Sequence, residues 1–318
     1  MLVANDLHHI DLDPAPAPRA AGESVAVIIN CGAGAGHDQL ELAGRLRALF
    51  ARHGLEAEVI VAEGGDDMGN AARAALERGT RTIVAGGGDG TVNAVASEVV
   101  DSSATFGVLP LGTLNHFARD LGIPFEIERA VEIIARGHTR RVDVGEVNGR
   151  IFLNNSSLGL YPNFVRDREK QQHQLGRGKW WAALLATVSA LRRFPFMSVR
   201  LKIGPHEVPR RTPFVFIGNN EYAMEGLSLG ARPALDRGTL SLYVPQNPGR
   251  LSLLRFALRA LCGRLAQARD FDVVLVENME IETRHKLLRV ATDGEVRLMK
   301  APLSYRVRPA ALTVFAPS

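Results

Sequence analysis

At 318 residues, 46% hydrophobic and 23% charged, the chain has an ordinary globular composition with room for two cores, which excludes a disordered or low-complexity polymer. A net charge of +4 is only mildly basic. Two cysteines, Cys31 and Cys262, lie far apart, which excludes a disulfide scaffold or a thiolate metal site and suits a reduced, cytoplasmic protein.

Residues 1–22 carry Asp6, Asp11, Asp13 and a Pro-Ala run, so they read as a disordered arm and not as a signal peptide. Residues 24–30 form an apolar run expected to be a buried parallel strand. A glycine turn at 32–36 follows, then a helical pattern from Asp38 that Gly54 ends. A strand over Ala57–Ala62, a helix around Met68–Glu77 and a strand over Thr82–Ala85 come next. Phe106–Leu109 is another strand, and Asn115–Asp120 is helical. Strands alternating with helices predict a doubly wound α/β parallel sheet over 23–141, with its glycine turns at the carboxyl ends of the strands.

Beyond Arg141 the pattern changes. Strands are expected over 142–147, 151–154, 197–203, 214–218, 239–244, 273–276, 279–283, 288–291 and 303–307. Asn148-Gly149 and Asp293-Gly294 read as hairpin turns. Residues 142–318 are therefore expected to be a mostly antiparallel β-rich domain whose last residues return to the first. Helices are expected near 178–193 and 250–268. The longest apolar block, Trp180–Leu191, is shorter than the ~20 residues of a membrane span.

The most informative segment is Gly86-Gly87-Gly88-Asp89-Gly90-Thr91, between a strand and the helix that begins at Val92. Without Cβ atoms such a turn admits close approach of a ligand, and helix-start amides favour an anion such as phosphate. An aspartate there would repel a bare phosphate, so it suits a phosphate-bound cation. The competing reading is a tight turn capped by Asp89. No histidine spacing suggests a metal site, and only His116 falls within a motif.

Gly87-Gly88-Asp89-Gly90-Thr91, then Pro110-Leu111-Gly112-Thr113 with Asn115 and Phe117-Ala118-Arg119, then Asp293-Gly294-Glu295 occur in this order along the chain. With Asn30, Gly34, Gly36 and Gly218-Asn219-Asn220, they resemble the diacylglycerol kinase catalytic-domain family, which includes bacterial soluble lipid kinases, sphingosine kinases and ceramide kinases. The resemblance spans residues 24–310. It implies ATP- and Mg²⁺-dependent phosphorylation of a lipid hydroxyl, diacylglycerol-like or sphingoid. It implies nucleotide contacts from Asn30, Gly34, Gly36, Gly87, Gly88, Gly90, Thr91, Gly112, Thr113 and Asn115. Asp89 would position Mg²⁺ directly or through water, Asp293 is a second metal candidate, and Glu295 would take the acceptor proton.

Two departures bear on the acceptor side. Leu114-Asn115-His116 stands where the family has Gly-Asn-Asp, and Asp236-Arg237-Gly238 replaces an Asp-Asp-Gly that binds a structural Mg²⁺ in some members.

The basic residues between Arg166 and Arg211 have no carboxylate among them from Lys170 to His206, and Arg250–Arg269 contains five arginines and no acid. With Trp180 and Trp181 beside them, these segments predict peripheral attachment to a membrane surface; helices packed on the second domain are the alternative. No nucleic-acid recognition module is legible. Two other readings remain: an NAD kinase-like enzyme with a soluble acceptor, and a non-catalytic, nucleotide-dependent membrane-binding regulator. A homodimer is left open.

Overall fold

The computed structural model describes residues 24–30, 36–159, 196–225, 228–229, 232–246 and 271–318. The arm, the turn around Gly34, both tryptophans, both cysteines and the two helices expected near 178–193 and 250–268 lie outside them.

The first half alternates β1 (Ser24–Asn30), α1 (Gly36–Arg52), β2 (Glu56–Ala62), α2 (Gly65–Glu77), β3 (Thr82–Gly87), α3 (Asp89–Val99), β4 (Thr105–Pro110), α4 (His116–Asp120) and α5 (Ile127–Arg136). The four strands pair in parallel in the order β2-β1-β3-β4. Val25–Ile29 and Ile83–Ala85 are wholly buried, as continuous apolar strands covered on both faces must be. Helix α5 is not among the expected elements, although Ala130, Val131 and Ile134 supply its buried stripe.

The rest of the chain is β5 (Thr139–Val147), β6 (Arg150–Phe152), β7 (Asn155–Gly159), β8 (Met197–Ile203), β9 (His206–Thr212), β10 (Phe214–Asn219), β11 (Met224–Glu225), β12 (Ser228–Leu229), β13 (Leu240–Pro245), β14 (Phe271–Val276), β15 (Asn278–Thr283), β16 (Leu287–Thr292), β17 (Glu295–Lys300) and β18 (Leu303–Phe315). The expected strand over 151–154 stops at Phe152, because the amides of Leu153, Asn154 and Asn155 turn onto the Asp293 carboxylate. Both hairpin dipeptides form two-residue turns with positive φ throughout (Asn148 48°, Gly149 81°; Asp293 47°, Gly294 88°), the geometry that fits the twist of paired strands.

Strand β18 joins the halves. Val314 pairs in parallel with Phe106 of β4, while the strand runs antiparallel to β5 on one side and to β15 on the other. The result is a mixed ten-stranded sheet containing the path β2-β1-β3-β4-β18-β15-β8-β9. A kink between Arg308 and Leu312 re-aims β18, and Asp143 Oδ1 accepts the amide of Ala310 there at 2.8 Å.

A second, antiparallel sheet, β14-β13-β10-β7-β16-β17, packs against β8, β15 and β18. Leu158, Ile217, Leu242 and Val290 meet Val199, Leu201, Ile281 and Tyr305 in that core. No helix among the described residues is long and apolar enough to cross a membrane.

Phe106 is fully buried beneath the β4–β18 seam. Phe106→Ala is expected to lower the unfolding free energy by about 3–5 kcal/mol in urea titration. Leu40→Ala, at a side chain 72% exposed, is expected to stay within about 0.5 kcal/mol.

Candidate active site

Strand β3 delivers Gly86 and Gly87 to the carboxyl edge of the sheet, and α3 starts two residues later with no side chain capping its first amides. These amides are donors without a helical acceptor, so the turn presents partial positive charge outward. A Cβ on Gly87 would lie 2.5 Å from Thr91 Oγ1, so glycine is needed for Thr91 to pack down. Thr91 Oγ1 accepts a hydrogen bond from Asn30 Nδ2 at 3.3 Å, tying the end of β1 to α3. Gly36 opens α1.

The turn after β4 touches the first one backbone to backbone. A Cβ on Gly112 would fall 2.3 Å from Gly88 Cα and 2.8 Å from Gly88 N. Asn115, in the left-handed region at φ 48°, holds this turn. Its Nδ2 donates to Gly112 O at 2.7 Å and its Oδ1 accepts from Gly112 N at 3.1 Å. Asn115 thus shapes the loop from a buried position, while Thr113 is exposed on it.

Asp89 is half-buried as the first residue of α3. Its Oδ1 accepts from Phe117 N at 3.2 Å and from Asn154 Nδ2 at 3.3 Å. Oδ2 has no hydrogen bond among the described residues and is open to a further partner.

Asn154 is fixed from its other side. Its Oδ1 accepts from Arg232 Nη2 at 2.8 Å, and the same guanidinium donates through Nε to Asp120 Oδ2 at 2.6 Å. Arg232 Nη1 donates to Leu153 O at 2.6 Å and to Asn219 O at 3.1 Å. The side chains of Arg232 and Asp120 are 0% and 6% exposed. Neither Arg232 nor Asn154 is among the residues expected at the site. An isolated arginine and an asparagine at a strand end carry no local signal, and only the tertiary fold brings them together.

The two later carboxylates differ. Asp293 is buried, and it accepts from Leu153 N at 2.7 Å, Asn154 N at 2.8 Å and Asn155 N at 3.0 Å. Burial pushes its pKa up to about 6 against the pull of those amides, and the charge of Asp89 adds to the rise. Glu295, on the next strand, is freer. Its Oε1 lies 3.5 Å from where a Cβ on Gly90 would be and 3.7 Å from the equivalent point on Gly65, while Oε2 accepts from Arg297 Nη2 at 3.2 Å.

Glu295 therefore overhangs the start of α3 from the second half. Beside it, a groove of about 260 Å³ runs between α2 and α3, lined by Asp66, Arg73, Asn93, Arg150 and Arg297 among others. Asn93 is buried, and its Oδ1 has no partner among the described residues. A larger cavity of about 440 Å³, near Arg129, His138 and Pro317, contains none of these groups.

No three His, Cys, Asp or Glu side chains converge as a metal cage among the described residues. Mg²⁺ nonetheless fits the open Oδ2 of Asp89, because it takes one or two carboxylates together with substrate phosphates and water. The region of Asp236-Arg237-Gly238 does not fit a metal. Asp236 reaches Arg140 at 3.7 Å, and Arg237 N donates to Asn220 Oδ1 at 2.9 Å.

A parallel sheet with glycine turns at its carboxyl edge, overhung by an acidic residue from an antiparallel sandwich, defines a two-part phosphotransferase architecture. Residues 24–147 match the profile of the diacylglycerol kinase catalytic domain, and residues 167–316 match that of the YegS C-terminal NAD kinase beta sandwich-like domain. The chain is 31% identical to the "Probable lipid kinase YegS-like" of Chromohalobacter salexigens over 80% of its own length and 81% of that protein. It is 27% identical to the diacylglycerol kinase of Mycobacterium tuberculosis, over 87% and 93% respectively. A diacylglycerol kinase structure from Bacillus anthracis shares the fold, with a TM-score of 0.66 at 22% identity over 94% of this chain and 98% of that one. The chain belongs to the diacylglycerol kinase family, with a YegS-like second half.

Arg232→Met is expected to cost about 3–5 kcal/mol of stability in urea titration, because Asp120 is left charged and buried. The folded pKa of Asp293 lies above its ordinary value of 3.8. Its contribution to stability is therefore complete below about pH 4 and lost as pH rises through about 6. The stability difference between the parent chain and Asp293→Asn is expected to shift by on the order of 2–3 kcal/mol against the parent between pH 4 and pH 7. Denaturation at stepped pH checks it.

Proposed function

We propose that the protein transfers the γ-phosphoryl group of ATP to the hydroxyl of a lipid, of the diacylglycerol type. The observation that carries this reading is Glu295 overhanging Gly90 at the start of α3. A phosphate nest and a carboxylate from the opposite half then face one small volume. Phosphoryl transfer depends on positioning and charge neutralisation, which is what such a pairing supplies.

In this reading the turn Gly87–Thr91 holds the phosphates through backbone amides, and the exposed Thr113 hydroxyl reaches them from the second turn. Thr91 and Asn30 brace the first turn, and Asn115 braces the second. Asp89 Oδ2 holds Mg²⁺ directly or through water, and Asp293 fixes the 153–155 bend that positions Asn154 against Asp89. Bound Mg²⁺ would neutralise charge on the transferring phosphoryl group. Glu295 accepts the proton of the attacking hydroxyl. The groove lined by Arg73, Arg150, Arg297 and the unpartnered Asn93 Oδ1 suits the remainder of the nucleotide, since an exocyclic amine can donate to that oxygen. The names of the relatives support the glycerolipid class of acceptor.

With γ-labelled ATP, Mg²⁺ and diacylglycerol in mixed micelles, label is expected in the organic extract. Asp89→Asn and Glu295→Gln are each expected to lower kcat by about a hundredfold or more while far-UV circular dichroism is unchanged. Full turnover by Asp89→Asn would overturn the mechanism. Label appearing only in an aqueous phosphorylated dinucleotide would reassign the acceptor.

A further inference from the structure

The β16–β17 hairpin has two dissimilar faces. Register pairs Leu288 with Met299 and Val290 with Arg297, so these residues and Glu295 share one face, and Leu288, Val290 and Met299 enter the sandwich core. The other face carries Leu287, Arg289 and Ala291 on β16, opposite Lys300, Leu298 and Val296 on β17. Alternation therefore sends two leucines outward, where Leu287 is 56% and Leu298 65% exposed.

Their surroundings are cationic. Arg289 and Lys300 lie directly across the hairpin from Leu298 and Leu287, and Arg284 and Lys286 are exposed in the turn just before β16. No carboxylate occurs from Arg284 to Thr292 or from Val296 to Ala301. Basic residues on an edge strand deter sheet-to-sheet pairing, but that purpose gains nothing from exposed leucines. Apolar side chains set among cations that make no ion pair among the described residues match a bilayer of anionic lipid, where the leucines enter the headgroup boundary and the cations meet phosphate.

We propose that the outer face of the β16–β17 hairpin docks on an anionic lipid surface. Glu295 is three residues from Leu298, about 10 Å along the strand, and points from the opposite face. Docking here holds the acceptor-side carboxylate about one strand's thickness from the membrane. The biological sense of this surface rests on the lipid-kinase reading, but its test does not require turnover.

The full chain is floated with phosphatidylcholine vesicles, with or without phosphatidylglycerol. Selective binding to the mixed vesicles is expected. Leu287→Asp/Leu298→Asp and, separately, Arg289→Gln/Lys300→Gln should each lower the partition coefficient by about tenfold or more. Melting temperatures should not move, because the side chains are exposed. Variants that float like the parent overturn the assignment. So does a parent dimer that Leu298→Asp makes monomeric with flotation unchanged, since the occupant would then be a second copy. If vesicle binding is lost in the variants while the parent phosphorylates no lipid, the surface stands and the kinase reading falls.

Discussion

The site depends on one buried cation. The Arg232 guanidinium makes four side-chain hydrogen bonds, to Asp120, Leu153 O, Asn219 O and Asn154, and lies 5.6 Å from the Tyr222 ring centroid. Asp120 ends α4, which follows the Gly112 turn, whereas Leu153, Asn154 and Asn219 belong to the second half. A buried ion pair adds little net stability over an apolar pair of the same shape, because desolvation offsets the Coulomb gain. What it supplies here is register, since a planar fork with fixed donors accepts few arrangements. The two halves are held in the orientation at which Asn154 reaches Asp89.

Around that fixed point the three carboxylates have different duties. Asp293 spends both oxygens on backbone amides and behaves as an anchor. Asp89 uses one oxygen internally and keeps the other open. Among the described residues Glu295 is bound by Arg297 on its own strand. Acidic groups gathered beside a helix N-terminus leave room for both a phosphate and a cation, which neither feature alone would accommodate.

Much of this was legible in the sequence, where local pattern and local structure agree. Buried parallel strands read as apolar runs, and Asn148-Gly149 and Asp293-Gly294 specified their turns. Strand β7 has no apolar pattern to mark it, because Asn-Ser-Ser-Leu-Gly is polar, although buried; its Ser156 Oγ lies 3.0 Å from the hydroxyl of the fully buried Tyr305. Strand β9 contains Pro209 and four charged or basic residues and survives as a sheet edge, where an unpaired backbone is tolerated. At the site, the glycine turns announced themselves, since close backbone approach has no other chemical solution. The positioning groups Arg232 and Asn154 did not, because their meaning lies wholly in contacts far apart along the chain. Asn115 was legible as part of a motif, but only the fold distinguishes its work on the Gly112 turn from contact with a ligand.

Strand β18 carries a consequence for biogenesis. The parallel half cannot complete its own sheet, because β4 and β5 find their shared neighbour only in residues near 303–315. During vectorial synthesis on the ribosome the glycine turns emerge early but must wait for the final strand before their sheet closes. A chain still lacking residues 303–315 would hold an unfinished sheet edge.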